Sequence, residues 1–405
     1  MIAEHSEKVK RKIKNVVNRV SESLTKPKRK FMLEMITGML SSQSSNLTEI
    51  SRNLKEAIDI KHTSKRVHRN ISTSEEFLGI ANNYTLNSCQ SLITDETLIC
   101  LDGGDITYSK AKGYEFISKV HDGSSGKIRF GYPLNLLVCR NGSEAPFPVL
   151  LEVFNRCENY VSDNKETLSI IERFMRLHGS KGIWTLDRGY DSQLIMESIL
   201  EHGGKFNIRQ KGNRHLIVNG RSQSAYSIAI GIIRRYEYDK GSFGYKRCYL
   251  DNNPVTLIYY KRDKVDLILL SSGHITKSHI ACERIKGYLR RWGVEESYKF
   301  IKQSFGLERA AIKKFAGIKC ILGIILLAWK VIEDVSLDEE TRAIVEEYAK
   351  VVKKKITFFY YRIINGITNI FSLCREMFRF RKRRKQNGQL TIEHFLGKYH
   401  DFSLS

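Results

Sequence analysis

The sequence predicts an α/β chain whose strand-and-helix core is interrupted by a β-rich insertion and flanked by helical regions. Three observations predict it. Two apolar runs, residues 98–101 (LICL) and 183–186 (IWTL), each lead straight into an aspartate, Asp102 and Asp187. Six more runs rich in β-branched and aromatic residues crowd the span 206–270. Helical periodicity governs the chain before residue 80 and again after Lys302.

Residues 1–80 read as a helical, basic region. Residues 9–24 are amphipathic, KPKRK at 26–30 is a cationic break, and 31–40 are apolar. Two short helices split by a turn follow, the first capped by Ser45 or Asn46 with Glu49 three or four residues on. Lys65, Arg66, His68 and Arg69 are dense enough to meet phosphates as a recognition helix would, so this region is read as DNA-binding.

From about residue 95 the pattern turns strand-like. The run at 98–101 reaches Asp102, and Gly103-Gly104 are expected to turn the chain there; runs near 129–139 and 148–154 complete three adjacent antiparallel strands. Residues 165–178 read as a helix, and Arg188-Gly189 turn the chain away after Asp187. Strands are expected at 206–209, 215–218, 228–238, 245–250, 255–260 and 265–270. Beyond Lys302 the chain is helical, and residues 378–385 (FRFRKRRK) form a second cationic patch. The division that follows is 1–80 helical, 81–204 first part of the core, 205–275 β insertion, 276–335 second part of the core, and 336–405 helical and basic, a candidate dimerisation region.

Residues 288–302, YLRRWGVEESYKFIK, organise the chain. Tyr288, Arg291, Glu295 and Lys302 fall within a stripe roughly 60° wide on one helix face, at about 100° per residue. A carboxylate can hold a divalent cation; arginine and lysine can hold phosphate, one as a fork and the other as a point charge. A solvated charged face with Val294, Tyr298 and Ile301 turned inward is the competing account of the same spacing.

Charge narrows the partners. The 405 residues carry 67 basic and 44 acidic side chains, a net charge of +23 that favours a polyanion such as nucleic acid. The eight cysteines form no CxxC pair, which speaks against a zinc ribbon or disulfide framework and fits a reducing cytosol. No signal peptide is read at the start. The longest apolar run, 320–329, is too short to span a bilayer and reads as a buried helix, so no membrane partner is expected.

Two strands ending in aspartate, followed by a glutamate on a later helix, are the arrangement of an RNase H-like nuclease core. The pattern Tyr-x2-Arg-x3-Glu-x6-Lys, with Trp292 and Glu296 flanking Glu295, resembles the signature of the insertion-sequence-four family of bacterial transposases. The resemblance covers roughly residues 95–330. It implies a DDE triad of Asp102, Asp187 and Glu295 binding two Mg²⁺ ions, with Mn²⁺ as a substitute, phosphate contacts from Tyr288, Arg291 and Lys302, and support from Arg188 through phosphate or carboxylate contacts. Asp105 is the rival first acid and Asp191 the weaker rival second one; the segment DGGDIT aligns the catalytic acid with Asp102. Gly103-Gly104 stand where the family commonly has a threonine. The resemblance further implies an insertion that supplies an aromatic residue for a flipped base, with Tyr236, Tyr238, Tyr245 and Tyr259 as candidates. The function it implies is cut-and-paste transposition: cleavage at terminal inverted repeats, hairpin formation and opening, and strand transfer into target DNA by a homodimer on the bacterial nucleoid in the cytoplasm. A nuclease without strand transfer and an inactive DNA-binding repressor are the alternatives.

Overall fold

The computed structural model describes residues 2–108, 112–123, 126–158, 160–263, 265–350 and 358–374. The cationic patch at 378–385 and much of the expected dimerisation region lie outside the described residues. Contacts divide the chain into two units, 1–80 with 301–405, and 81–300.

The first unit is helical. Its amino-terminal part holds α1 (Ile2–Val20), α2 (Lys26–Ser42), α3 (Leu47–Asn53) and α4 (Ile60–Ile71). Of the two candidate caps for α3, the side chain of Asn46 is the one used, accepting from the Thr48 and Glu49 amides. In α1, Val9, Ile13, Val16, Val17 and Val20 recur at helical spacing and are all buried. After them α5 (Glu76–Ser88) runs from this unit into the second.

In the second unit the strands are β1 (Leu98–Tyr108), β2 (Ser118–Asp122), β3 (Lys127–Arg140), β4 (Phe147–Val153), β5 (Ile183–Leu186), β6 (Lys205–Arg209), β7 (His215–Val218), β8 (Arg221–Ser224), β9 (Tyr236–Tyr238), β10 (Gly241–Leu250), β11 (Asn253–Arg262) and β12 (Val265–Ser272). The helices are α6 (Asp163–His178), α7 (Gln193–Glu201), α8 (Ala225–Ile230), α9 (Ser278–Arg290) and α10 (Gly293–Ser304), the last running back into the first unit. One mixed sheet links all twelve strands in the order β2-β3-β1-β5-β6-β12-β11-β10-β7-β8, with β4 on β3 and β9 on β10. β1, β5 and β6 are parallel neighbours, while β3 and β12 flank them antiparallel.

Alternation along the strands feeds two cores. Ile99, Leu101, Trp184, Leu186, Phe206 and Ile208 pack with Ile170 and Phe174 of α6 and Ile195 and Ile199 of α7. On the opposite face Ile258, Tyr260, Leu267 and Leu269 pack with Ala281, Ile285 and Tyr288 of α9.

Three expectations are corrected. The chain does not turn at Gly103-Gly104: β1 pairs with β3 without interruption from Leu98↔Arg140 to Tyr108↔Phe130, so Asp102 sits inside a strand rather than at its end. The expected strand over 228–238 begins as the last three residues of α8, started by Ser224, whose side chain accepts from the Ser227 amide; 231–235 are irregular and only Tyr236–Tyr238 is a strand. β6, the first strand of the span read as insertion, is the parallel neighbour of β5.

The chain returns to the first unit through α11 (Phe315–Leu337), α12 (Glu339–Tyr348) and α13 (Tyr360–Leu373). α11 is long and apolar enough to cross a membrane, but 89% of its most apolar window is buried inside the protein, as a helix apolar on all sides requires. Its buried Lys330 is held by Glu333 at 3.0 Å and Asp334 at 3.2 Å.

Candidate active site

Strand alternation delivers the first two acids to one face. Leu101, Trp184 and Leu186 turn toward α6 and α7, so their neighbours Asp102 and Asp187 turn toward α9 and α10. Asp187 follows directly on the last residue of β5, as the sequence suggested.

The third acid arrives by a different route from the one expected. Residues 288–302 are not one helix: α9 ends at Arg290, Arg291 and Trp292 form a turn, and α10 begins at Gly293. The cause is a diverted carbonyl. Arg140, at the end of β3, donates from Nη1 to the Arg290 oxygen at 3.2 Å, and the Val294 amide turns instead to the Arg291 oxygen at 2.8 Å. Gly293 lets the chain pass that guanidinium, since a Cβ there would lie 3.3 Å from Nη1 of Arg140. Tyr288 and Arg291 therefore belong to the end of α9, and Glu295 and Lys302 to α10.

Arg291 is the electrostatic centre. It is 6% exposed; its Nη2 donates to Oε1 of Glu295 at 2.8 Å and its guanidinium lies 5.6 Å from the centre of the Tyr288 ring. Against the opposing effect of burial, Tyr288, Asp187, Asp102 and Glu295 all raise its basicity. Burial pushes the Asp102 carboxyl up to about 7; Arg291 works against the shift, while Glu295 and Asp187 add to it. Burial acts on Asp187 in the same direction but is outweighed. The Tyr288 hydroxyl donates to Oδ1 at 2.8 Å, and with the Arg188 amide, Arg291 and Arg209 it holds Asp187 below the usual carboxylate range.

The rival acids have other places. Asp191 is gripped by Arg214 at 2.6 Å and accepts from the Lys211 amide at 2.9 Å. Asp105, three residues from Asp102 on the same strand, is buried and alternates to the other face of β1, yet it lines the same cavity as Asp102.

Tyr298, which spacing turns inward, also ties the site together. Its hydroxyl donates to the Asp102 carbonyl oxygen at 2.8 Å, and its ring fills the space over Gly104, where a Cβ would lie 2.7 Å from Cε1. Helix α10, which carries Glu295, is thereby latched to the strand that carries Asp102. Arg140, Arg209 and Lys211 are further additions. Arg188, Arg209 and Lys211 line a cleft of about 420 Å³ beside Asp187, and Asp102 and Gly103 line a second cavity of about 410 Å³.

The remaining predicted contacts are spread out. Lys302 pairs with Glu308 at 3.2 Å. Arg66 is bound between Glu34 and Glu56, whereas Lys65 and Arg69 are exposed. Tyr236 and Tyr245 stack with centroids 6.0 Å apart, Tyr238 leans on Tyr260, and Tyr259 is buried under Arg234.

Three carboxylates offer oxygen donors of the kind a hard divalent cation takes, and the raised carboxyl of Asp102 marks a place that gains from added positive charge. In the present arrangement that charge is the guanidinium of Arg291, and among the described residues no three acid, histidine or cysteine groups form a cluster that could hold one ion.

A mixed sheet with three acids near Arg291 and further arginines beside them is an arrangement suited to work on a phosphodiester. The model of the family described as Transposase DDE domain matches residues 93–330, more than half of the 405 residues, and the chain belongs to that family. The matched span holds Asp102, Asp187 and Glu295. No curated protein matches the chain. DNA is the partner that a transposase domain implies.

Proposed function

We propose that the protein is the cut-and-paste transposase of an insertion sequence of the insertion-sequence-four type, cleaving at terminal inverted repeats and joining the freed 3′ ends to target DNA. The observation that carries this reading is the meeting of Asp102, Asp187 and Glu295 around Arg291. The strand order β4-β3-β1-β5-β6, with β1, β5 and β6 parallel, supports an RNase H-like core.

Divalent ions, Mg²⁺ or Mn²⁺, held by the three carboxylates would supply activation of water or of a 3′-hydroxyl and stabilisation of the leaving oxygen in an in-line displacement at phosphorus. The chain's own residues do the rest. Tyr288 orients Asp187 and keeps it ionised through its hydroxyl. Arg291 holds Glu295 and presents a planar fork suited to a phosphate. The cleft of Arg188, Arg209 and Lys211 neutralises a neighbouring phosphate, and Lys302 grips the backbone farther along α10. These tasks are positioning and charge neutralisation rather than proton transfer. The helices of residues 1–80, with Lys65 and Arg69 exposed on α4, bind the terminal repeat, and two copies pair ends on bacterial DNA in the cytoplasm.

The test uses a duplex carrying the repeat that flanks the gene. Metal-dependent cleavage at the end, followed by joining of precut ends to a target plasmid, is the expected result. Cleavage without joining would make the protein a nuclease. Binding without cleavage in Mg²⁺ or Mn²⁺ would make it a repressor and would overturn the proposal.

A further inference from the structure

The ribbon of β2 and β3 is not accounted for by the acids or by the helical unit. Among the described residues β2 is an outer strand of the sheet and pairs with β3. Among the described residues β1 makes its last pairing at Tyr108↔Phe130, and Lys127, Ile128 and Arg129 are paired with β2. Residues directly opposite across a pair share a face. Ile128 stands opposite His121 and Phe130 opposite Lys119, and all four are exposed, Ile128 to 70% and Phe130 to 45%. Two exposed apolar side chains side by side on an outer ribbon call for a covering partner.

Two further features say what covers that face. Lys119 stands on that face opposite Phe130, and Lys127 and Arg129 add two cations on the other face of the same ribbon. The ribbon is also continuous with the acids: Val120, His121 and Gly123 line the same cavity as Asp102 and Gly103, and Arg156, another lining residue, donates to the Lys119 carbonyl at 3.3 Å. A two-stranded ribbon fits a DNA groove, and apolar side chains flanked by cations are what such a ribbon sets against bases between two phosphate rows.

We propose that the β2–β3 ribbon is a DNA-docking element: it lies in a groove of the duplex whose phosphodiester reaches Asp102, with Ile128 and Phe130 against the bases and Lys119 and Lys127 on the phosphates. The proposal rests on the functional reading above for the identity of the duplex.

The test measures binding of the full chain to the terminal-repeat duplex in Ca²⁺ across a salt series. Lys119→Ala/Lys127→Ala should lower the slope of log affinity against log salt by nearly 2, at about 0.9 per phosphate contact. Ile128→Ser/Phe130→Ser should weaken binding at least about tenfold while leaving that slope unchanged. Hydroxyl-radical footprints of both variants should lose protection beside the cleavage position and nowhere else. Thermal unfolding should be unaltered in the lysine variant, whose side chains are exposed, and only slightly lowered in the apolar one, where Phe130 is 45% exposed, and each pair of substitutions checks the other.

Wild-type affinity, slope and footprint in both variants would overturn the proposal. A change in self-association by sedimentation, with DNA binding intact, would overturn it in favour of an interface between copies of the chain. Ribbon-dependent binding by a protein that cuts in neither Mg²⁺ nor Mn²⁺ would remove the catalytic reading and leave the docking element standing.

Discussion

Replacing Gly104 by alanine tests the latch between the first and third acids. The added Cβ would lie 2.7, 2.9 and 3.2 Å from Cε1, Cζ and Cδ1 of Tyr298. Carbon atoms pack at about 3.5 Å or more, so the ring must retreat by roughly 0.8 Å. It has little room, since Tyr298 is 9% exposed and its hydroxyl is bound to the Asp102 carbonyl at 2.8 Å. Overpacking of this kind costs about 1–3 kcal/mol, and losing the hydrogen bond adds about 1 kcal/mol. Helix α10 moves with the ring, and a misplacement near 1 Å is worth about a hundredfold in rate. We expect Gly104→Ala to lower unfolding free energy by about 2–4 kcal/mol in a denaturant titration and single-turnover cleavage by about a hundredfold. Adding Tyr298→Leu should recover much of the stability by making room, yet not the rate, because Asp102 and Glu295 lose their shared tie. Wild-type stability and rate in Gly104→Ala would show that the ring is not wedged there, and the latch would be discarded.

Alanine at Asp102, Asp187 or Glu295 should each abolish cleavage while leaving end binding in Ca²⁺ intact by gel shift; nicking by Asp102→Ala together with an inert Asp105→Ala would reassign the first acid. The carboxyl of Asp102 is raised from 3.8 to about 7, so the native chain holds a proton that the unfolded chain has released. Stability should therefore fall as pH rises from about 4 to about 7, and Asp102→Asn should flatten the plot of melting temperature against pH over that window. Arg66→Ala should strip Glu34, 2% exposed, of its main partner and cost about 2 kcal/mol on thermal unfolding, whereas Lys65→Ala/Arg69→Ala should leave the melting temperature unchanged and weaken end binding. Arg291→Lys should fail to restore the single-turnover cleavage rate, because a point charge cannot reproduce the fork that serves Glu295 and a phosphate together.

Much of the fold was legible because burial writes itself into local pattern. The runs leading to Asp102 and Asp187 are strands, and 165–178 is a helix with ends only two residues wide of the reading. Residues 228–238 misled because Ile228, Ile232 and Ile233 are β-branched, yet propensity there yields to the Ser224 cap and to burial of Ile228 and Ala229. The pair Gly103-Gly104 looked like a turn because glycine so often makes one. Here Gly104 serves close approach instead, and the partner that demands it lies 194 positions away at Tyr298, a distance at which no local pattern carries information.

The site divides along the same line. Residue order and the resemblance of the helix signature pointed to Asp102, Asp187 and Glu295, all three of which are half-buried. Spacing alone made Tyr288, Arg291, Glu295 and Lys302 one stripe, which presumes an unbroken helix. Arg140 breaks that presumption by taking the Arg290 carbonyl from the helical ladder, and an intervention from β3, 150 residues upstream, leaves no trace in the spacing. The break changes what the stripe does. On a straight helix Arg291 would face outward with the other charges; at the turn it enters the fold, 6% exposed, where it answers Asp102, Asp187 and Glu295 together. The residue that read as a phosphate clamp is therefore also the charge that lets three carboxylates share one face of the sheet.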